Sequence, residues 1–150
     1  MNKFMYSVRN YKSDDYQDVE NIWNACDMGG SVRGDTATIV ERTLAGGGAL
    51  LLLVASDGEN ETIIGTTWIT NDARRLYLHH CGILPEFRGL GLSKLLVQEA
   101  LLMAKRLGMQ IKLEVHRNNT VAKALYAKKY FTYLGDYEVH IVRDVSKIPD

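Results

Sequence analysis

The sequence predicts an α/β fold, a mixed central β-sheet flanked by helices, and three observations carry that prediction. Runs that are apolar or β-branched recur between turn residues, three of them in succession over residues 49–84. Other segments place apolar residues three and four apart, the period of a helix with one buried face. The two patterns do not alternate strictly, so the sheet is not the purely parallel kind that strand–helix repeats build. At 150 residues the chain is one domain, 1–150, with interior enough for an ordinary core.

Residues 6–11 alternate like a strand. Ser13-Asp14-Asp15 then offers caps for a helix reaching about Cys26, with Tyr16, Val19, Ile22, Trp23 and Cys26 on one face. Met28-Gly29-Gly30-Ser31 breaks it. Asp35 is placed to cap a second, short helix carrying Ile39, Val40 and Leu44, which Gly46-Gly47-Gly48 ends. Residues 49–55 form a continuous apolar run and read as a buried strand. A hairpin loop over 56–61 leads into the β-branched return strand 62–70. Asn71-Asp72-Ala73-Arg74 turns the chain into a third strand, 76–84. Leu92, Leu95, Leu96, Ala100, Met103, Ala104 and Leu107 make a helical stripe, and Gly108 closes it. A strand over 111–115, a helix over about 120–128 and a last strand over 137–142 complete the order.

Composition narrows the partners. The chain is 46% hydrophobic and 24% charged with a net charge of zero, so no basic field points to nucleic acid. The two cysteines, Cys26 and Cys81, have no metal-ligand spacing and fit a reducing cytoplasm. His79, His80, His116 and His140 likewise show no ligand spacing, so no metal is expected. The N-terminal seven residues lack the apolar core of a leader, and the 49–55 run is too short to span a bilayer. These features predict a cytoplasmic globular domain without a nucleic-acid or membrane partner.

The chemistry-bearing stretch is Pro85-Glu86-Phe87-Arg88-Gly89-Leu90-Gly91-Leu92-Ser93-Lys94, between a strand and the long helix. The first N–H groups of a helix have no internal partner, the helix dipole adds positive potential, and glycines admit a ligand to the backbone. Such a loop holds phosphate. Gly89-x-Gly91 alone is weak, and two nucleotide readings fit poorly. A dinucleotide fingerprint needs a third glycine where Lys94 stands, although Glu114 lies at a plausible distance for a ribose ligand. A Walker-type loop needs Gly-Lys-Ser/Thr at its end, which is absent.

Arg88, Gly91 and Ser93 occupy the slots of a motif of Arg or Gln, two residues, Gly, one residue, then Gly or Ala. Asn119, Ala122, Leu125, Tyr126 and Phe131 follow the spacing of a second block, with Tyr130 where that block usually has Gly. Together they resemble the GCN5-related N-acetyltransferases, and the spacing of Glu114 and Tyr126 is similar to the ribosomal-protein N-terminal acetyltransferase branch. The resemblance implies acetyl-CoA as co-substrate, bound where two neighbouring parallel strands, 76–84 and 111–115, splay apart. It implies that the backbone of Ile83 and Leu84 pairs with the pantetheine arm. It implies that Arg88, Gly89, Leu90, Gly91, Leu92, Ser93 and Lys94 wrap the pyrophosphate. Gly82 marks either a close backbone approach or a lack of space beside a core side chain. A homodimer is a family-level expectation.

The resemblance also implies direct transfer to a primary amine, with Glu114 as general base and Tyr126 as general acid. A phenol with pKa about 10 can protonate a developing thiolate comparable to a cysteine's, about 8.5. A carboxylate between Leu113 and Val115 is expected to be buried, or paired with Lys112 or Arg117. Asn119 either orients the cofactor or caps the last helix. His79 and His80, adjacent on a strand, are expected on opposite faces, one of them toward the acceptor. Cys81 reads as a small buried hydrophobe. The Gly-rich segment 27–35 is a candidate lid, with Arg33 for a substrate carboxylate and Asp27 or Asp35 for an ammonium group. The acceptor is left open between a protein or peptide N-terminus, a lysine and a small-molecule amine. A non-catalytic acyl-CoA-binding regulatory domain is the alternative.

Overall fold

A computed structural model describes residues 3–150; Met1 and Asn2, the start of the segment read as lacking a leader, lie outside the described residues. Among the described residues five strands form one sheet in chain order: β1 (Met5–Asn10), β2 (Ala49–Ser56), β3 (Glu61–Asn71), β4 (Leu76–Ile83) and β5 (Ile111–Leu113). The first three pairings are antiparallel and β4–β5 is parallel. Helices α1 (Tyr16–Ala25) and α2 (Ala37–Ala45) cover one face, α3 (Ser93–Leu107) covers the other, and α4 (Thr120–Ala127) follows β5.

Two apolar layers explain the continuous apolar run of β2. Leu51, Leu53 and Ala55 pack toward α3 with Ile64, Leu76, Leu96 and Ala100. Leu50 and Leu52 pack toward α1 and α2 with Val19, Ile22, Trp23, Val40 and Trp68. A strand buried on both sides needs apolar residues at every position, not at alternate ones.

Two departures from regular geometry shape the site. First, β5 pairs with β4 only over Leu76↔Ile111, Tyr77↔Lys112 and Leu78↔Leu113, while β4 continues to Ile83. The parallel pair therefore parts into a cleft, as expected. Second, the β3–β4 register shifts between Trp68↔His79 and Thr66↔Gly82, so His80 and Cys81 together oppose Thr67. This is a bulge, and His80 takes a φ of 46° within it. Trp23 Nε1 donates to Thr66 Oγ1 at 3.0 Å, and Thr66 Oγ1 donates to the His80 carbonyl at 2.9 Å. That link ties the bulge to α1.

The bulge corrects the expectation that His79 and His80 alternate faces. Both rings lie near Trp68 on the α1/α2 side, with centroids 6.4 Å apart, and Cys81 packs against the α3 layer. Two other local expectations change. Thr36, not Asp35, caps α2, accepting from Ile39 N at 3.3 Å. The predicted strand over 137–142 does not form, and Tyr137, Val139 and Ile141 are exposed. A strand needs a partner edge, and the three-residue β5 gains none from this segment.

Candidate active site

The loop between β4 and α3 is built for an anion. Gly89 and Gly91 take left-handed φ values of 80° and 71°. The N–H groups of Gly89, Leu90, Gly91, Leu92 and Ser93 donate to no acceptor among the described residues, and no side chain caps α3. The Lys94 side chain crosses the bare face of Gly91, where a Cβ would stand 3.2 Å from its Cε. Donors, a helix start and a cation thus share one short loop. Arg88 points the other way: its Nε donates to the Ile83 carbonyl at 2.9 Å, and Nη2 lies 3.5 Å from Cys26 Sγ.

The cleft edge is more occupied than the sequence suggests. The Ile83 carbonyl accepts from Arg88 and from Cys26 Sγ at 3.4 Å. The Leu84 amide donates to Ile64 O at 2.8 Å, so it belongs to the β3 side and is not free for a pantetheine arm. Gly82 leaves room for Met28: a Cβ there would sit 2.5 Å from Met28 Cε. Its lost side chain serves the packing of the α1–α2 loop on β4.

On the α1/α2 face a row of polar groups runs across the strands. The Glu114 carboxylate lies beside the Tyr77 hydroxyl, and burial, with this carboxylate, raises the phenol's pKa above its ordinary value. The Tyr77 ring stacks on His79 at 4.4 Å, and Lys112 Nζ lies 5.5 Å from the Tyr77 ring centre. His79 Nε2 is 2.9 Å from Thr70 Oγ1, and burial lowers its pKa. His80 Nε2 is 2.9 Å from Asp35 Oδ2. Glu114 lies past the end of β5 and is exposed, contrary to the burial expected between Leu113 and Val115. Its neighbour is the Tyr77 hydroxyl, and among the described residues it makes no ion pair with Lys112 or Arg117. Arg33 is held by Asp27 at 3.0 Å on the exposed loop.

Tyr126 and Asn119 sit on α4 and its cap. Asn119 Oδ1 accepts from Ala122 N at 3.2 Å, so it caps the helix. Tyr126 is buried with its hydroxyl on the Cys81 thiol. Burial and that thiol raise the phenol's pKa above its ordinary value; burial also pushes up the Cys81 thiol, which lies against the Thr67 and Tyr126 hydroxyls. Tyr130 adopts a φ of 72°, the left-handed turn for which Gly would be favoured, and Phe131 meets the Tyr126 ring edge-on at 5.5 Å. Among the described residues no group of three or more His, Cys, Asp or Glu gathers as metal ligands do, and no helix is long and apolar enough to cross a membrane.

Sequence reasoning missed three contributors: Tyr77 as the Glu114 partner, Met28 over Gly82, and Asp35 as the His80 partner. Gly29 carried a signal for the last of these. A Cβ on Gly29 would fall 2.4 Å from Asp35 Oδ2 and 2.6 Å from His80 Nε2.

Residues 16–131 match the acetyltransferase (GNAT) family. An acetyltransferase of Photorhabdus laumondii is 30% identical over 90 residues, a match spanning 60% of this chain and 60% of that protein's length. The fold is shared with a GNAT-family acetyltransferase of Staphylococcus aureus, with a TM-score of 0.74 at 15% identity over 97% of this chain and 92% of that one. It is also shared with the ribosomal-protein-S18-alanine N-acetyltransferase of Escherichia coli, with a TM-score of 0.68 at 15% identity over 85% of this chain and 78% of that one.

Proposed function

The chain belongs to the acetyltransferase (GNAT) family, and from that premise we propose that it transfers the acetyl group of acetyl-CoA to a primary amine by direct attack in a ternary complex. The observation that carries this reading is the set of unpartnered N–H groups at Gly89, Leu90, Gly91, Leu92 and Ser93, beside the cleft where β4 and β5 part. Five donors around two left-handed glycines fit a pyrophosphate, and Lys94 adds a charge. Arg88 joins them by leaving the Ile83 carbonyl, which then keeps only the weak Cys26 thiol and can accept from the pantetheine amide.

Tyr126 is the donor to the departing sulfur. Its hydroxyl lies beside a sulfur atom, that of Cys81, and the phenol carries its proton at neutral pH. A protonated phenol stabilises sulfur most when sulfur bears charge, that is, in the transition state. Glu114 is the carboxylate offered to the acceptor. It is exposed at the cleft mouth and steadied by the Tyr77 hydroxyl, so it can meet an ammonium group from solvent. The α1–α2 loop, carrying Asp27, Arg33 and Asp35, borders the acceptor and bears on its selection among protein N-termini, lysines and small-molecule amines.

Initial rates test the direct transfer. Varying acetyl-CoA and an accepted amine should give intersecting reciprocal plots, and acetyl-CoA should raise the melting temperature where NAD does not. Parallel plots, the mark of an acetylated enzyme, would overturn direct transfer. Stabilisation by NAD alone would overturn the assignment of the loop.

A further inference from the structure

We propose that His80, oriented by Asp35, takes the proton from the acceptor ammonium, and that Glu114 acts as a fixed anion for the acceptor and not as the base. This rests on the acetyl-transfer reading and goes beyond it by naming the proton acceptor.

The backbone places His80 with unusual care. A non-glycine residue at positive φ costs about 1–3 kcal/mol unless its surroundings impose it. Here the bulge imposes it, and Thr66 and Trp23 lock the His80 carbonyl. The consequence is a ring on the acceptor face, edge-on to Trp23 at 5.0 Å and to Trp68 at 5.4 Å. Regular alternation would have sent it to the α3 layer.

The pairing with Asp35 fixes the tautomer. Asp35 Oδ2 accepts at 2.9 Å, so the proton sits on Nε2 and the lone pair on Nδ1. Nδ1 has no partner among the described residues and is not sealed from solvent; 22% of the side chain is exposed. Asp35 is itself held. Its amide donates to Gly30 O at 3.0 Å, and its carbonyl accepts from the Tyr16 hydroxyl at 2.6 Å. Gly29 is bare where the two side chains meet, leaving no atom to part them. The charged groups around the ring are Asp35 from the loop, His79 from its own strand and, beyond His79, Glu114 after β5; α1 and β3 present the uncharged Trp23 and Trp68.

His79 is a poorer candidate, because its Nε2 is engaged by Thr70 and its ring is stacked under Tyr77. The next residue after His80 completes the geometry. Cys81 faces the opposite side of β4 and carries Tyr126 on its thiol. Proton acceptor and proton donor therefore flank one point of the strand.

The ammonium N–H bond breaks and its proton passes to His80 Nδ1. The freed lone pair forms the N–C bond to the acetyl carbonyl. The C–S bond breaks, its electron pair goes to sulfur, and sulfur takes the Tyr126 proton. The nitrogen of the addition product loses its second proton to solvent, solvent reprotonates Tyr126 and the proton on His80 is released, leaving an amide and a free thiol with one net proton released.

The test uses the full chain, acetyl-CoA and the best acceptor from a panel of a free-N-terminus peptide, a lysine peptide, a polyamine and an amino sugar. His80→Gln should lower kcat about 10²- to 10³-fold, abolish the acid limb of the pH profile of kcat/KM, and leave acetyl-CoA affinity within about two-fold. Added imidazole should restore part of the rate to His80→Ala. Asp35→Asn should lower kcat about tenfold and displace the same limb, as loss of a positioning residue would. Glu114→Gln should raise KM for the amine and keep the limb. Imidazole 15N spectra, independent of turnover, should show the Nε2–H tautomer at His80. An acid limb retained in His80→Gln, a limb lost in Glu114→Gln, or an Nδ1–H tautomer overturns the proposal. A wild-type chain that binds acetyl-CoA and acetylates no amine overturns the acetyl-transfer reading instead.

Discussion

Tyr126→Phe is expected to lower kcat about 10²-fold or more while acetyl-CoA affinity stays nearly constant. The ring is buried and packs on Phe131, and a phenylalanine keeps all of that packing. Only the hydroxyl on the Cys81 thiol is removed, and a thiol is a weak hydrogen-bond partner, so the fold loses little. The loss falls on the transition state, where the leaving sulfur no longer meets a donor. The same hydroxyl carries a pH signature. Its pKa is raised in the folded chain by burial and by Cys81, so folding favours the neutral phenol. That contribution is complete below the unfolded value of about 10 and is lost as pH rises through the raised folded value. Alkaline unfolding should therefore be milder in Tyr126→Phe, with Tyr77, raised by burial and Glu114, accounting for part of what remains. Unchanged kcat in Tyr126→Phe would remove the residue from the chemistry.

Gly91→Val should raise the Kd for acetyl-CoA about 100-fold or more. Gly91 has a φ of 71°, where a β-branched residue is strained, and its bare face is crossed by Lys94. Moving the loop misaligns the N–H groups of residues 89–93. Hydrogen bonds to a charged group contribute about 1.5–3 kcal/mol each, and about 1.4 kcal/mol is tenfold in affinity, so losing two bonds suffices. Gly58→Val is the control. Gly58 has a φ of 99° in the β2–β3 hairpin, with open space around it, so its variant loses stability without losing acetyl-CoA affinity. Calorimetric titration of both variants checks the contrast; equal Kd values in Gly91→Val and the wild type would count against the loop as the phosphate site.

What the sequence made legible was what local physics decides. The layers follow from the apolar run of β2 and the stripe of α3, because burial on two faces and on one face leave different periods. The glycine loop and the Asn119 to Tyr126 block are contiguous, so their spacing survives without knowledge of the fold. The failures were tertiary. The His80 bulge depends on Thr66 and Trp23, distant in sequence, and alternation cannot show it. Asp35 and Thr36 are both good caps, and His80 claimed the first of them. Apolar neighbours suggested that Glu114 is buried, but the strand ends at Leu113. Gly82 announced a close approach without naming Met28 as the visitor. Residues 137–142 alternate as a strand should, and alternation alone does not supply an edge to pair with.

The most direct test of acetyl transfer is product analysis. The purified chain is incubated with acetyl-CoA and the amine panel, and free thiol and acetylated amine are quantified together by a thiol reagent and mass spectrometry. One acetylated amine is expected for each thiol released, with both lost in parallel in Tyr126→Phe. Acetyl-CoA bound tightly at the 89–93 loop, with no thiol released and no amine acetylated, would contradict it and mark the domain as a non-catalytic acyl-CoA-binding module.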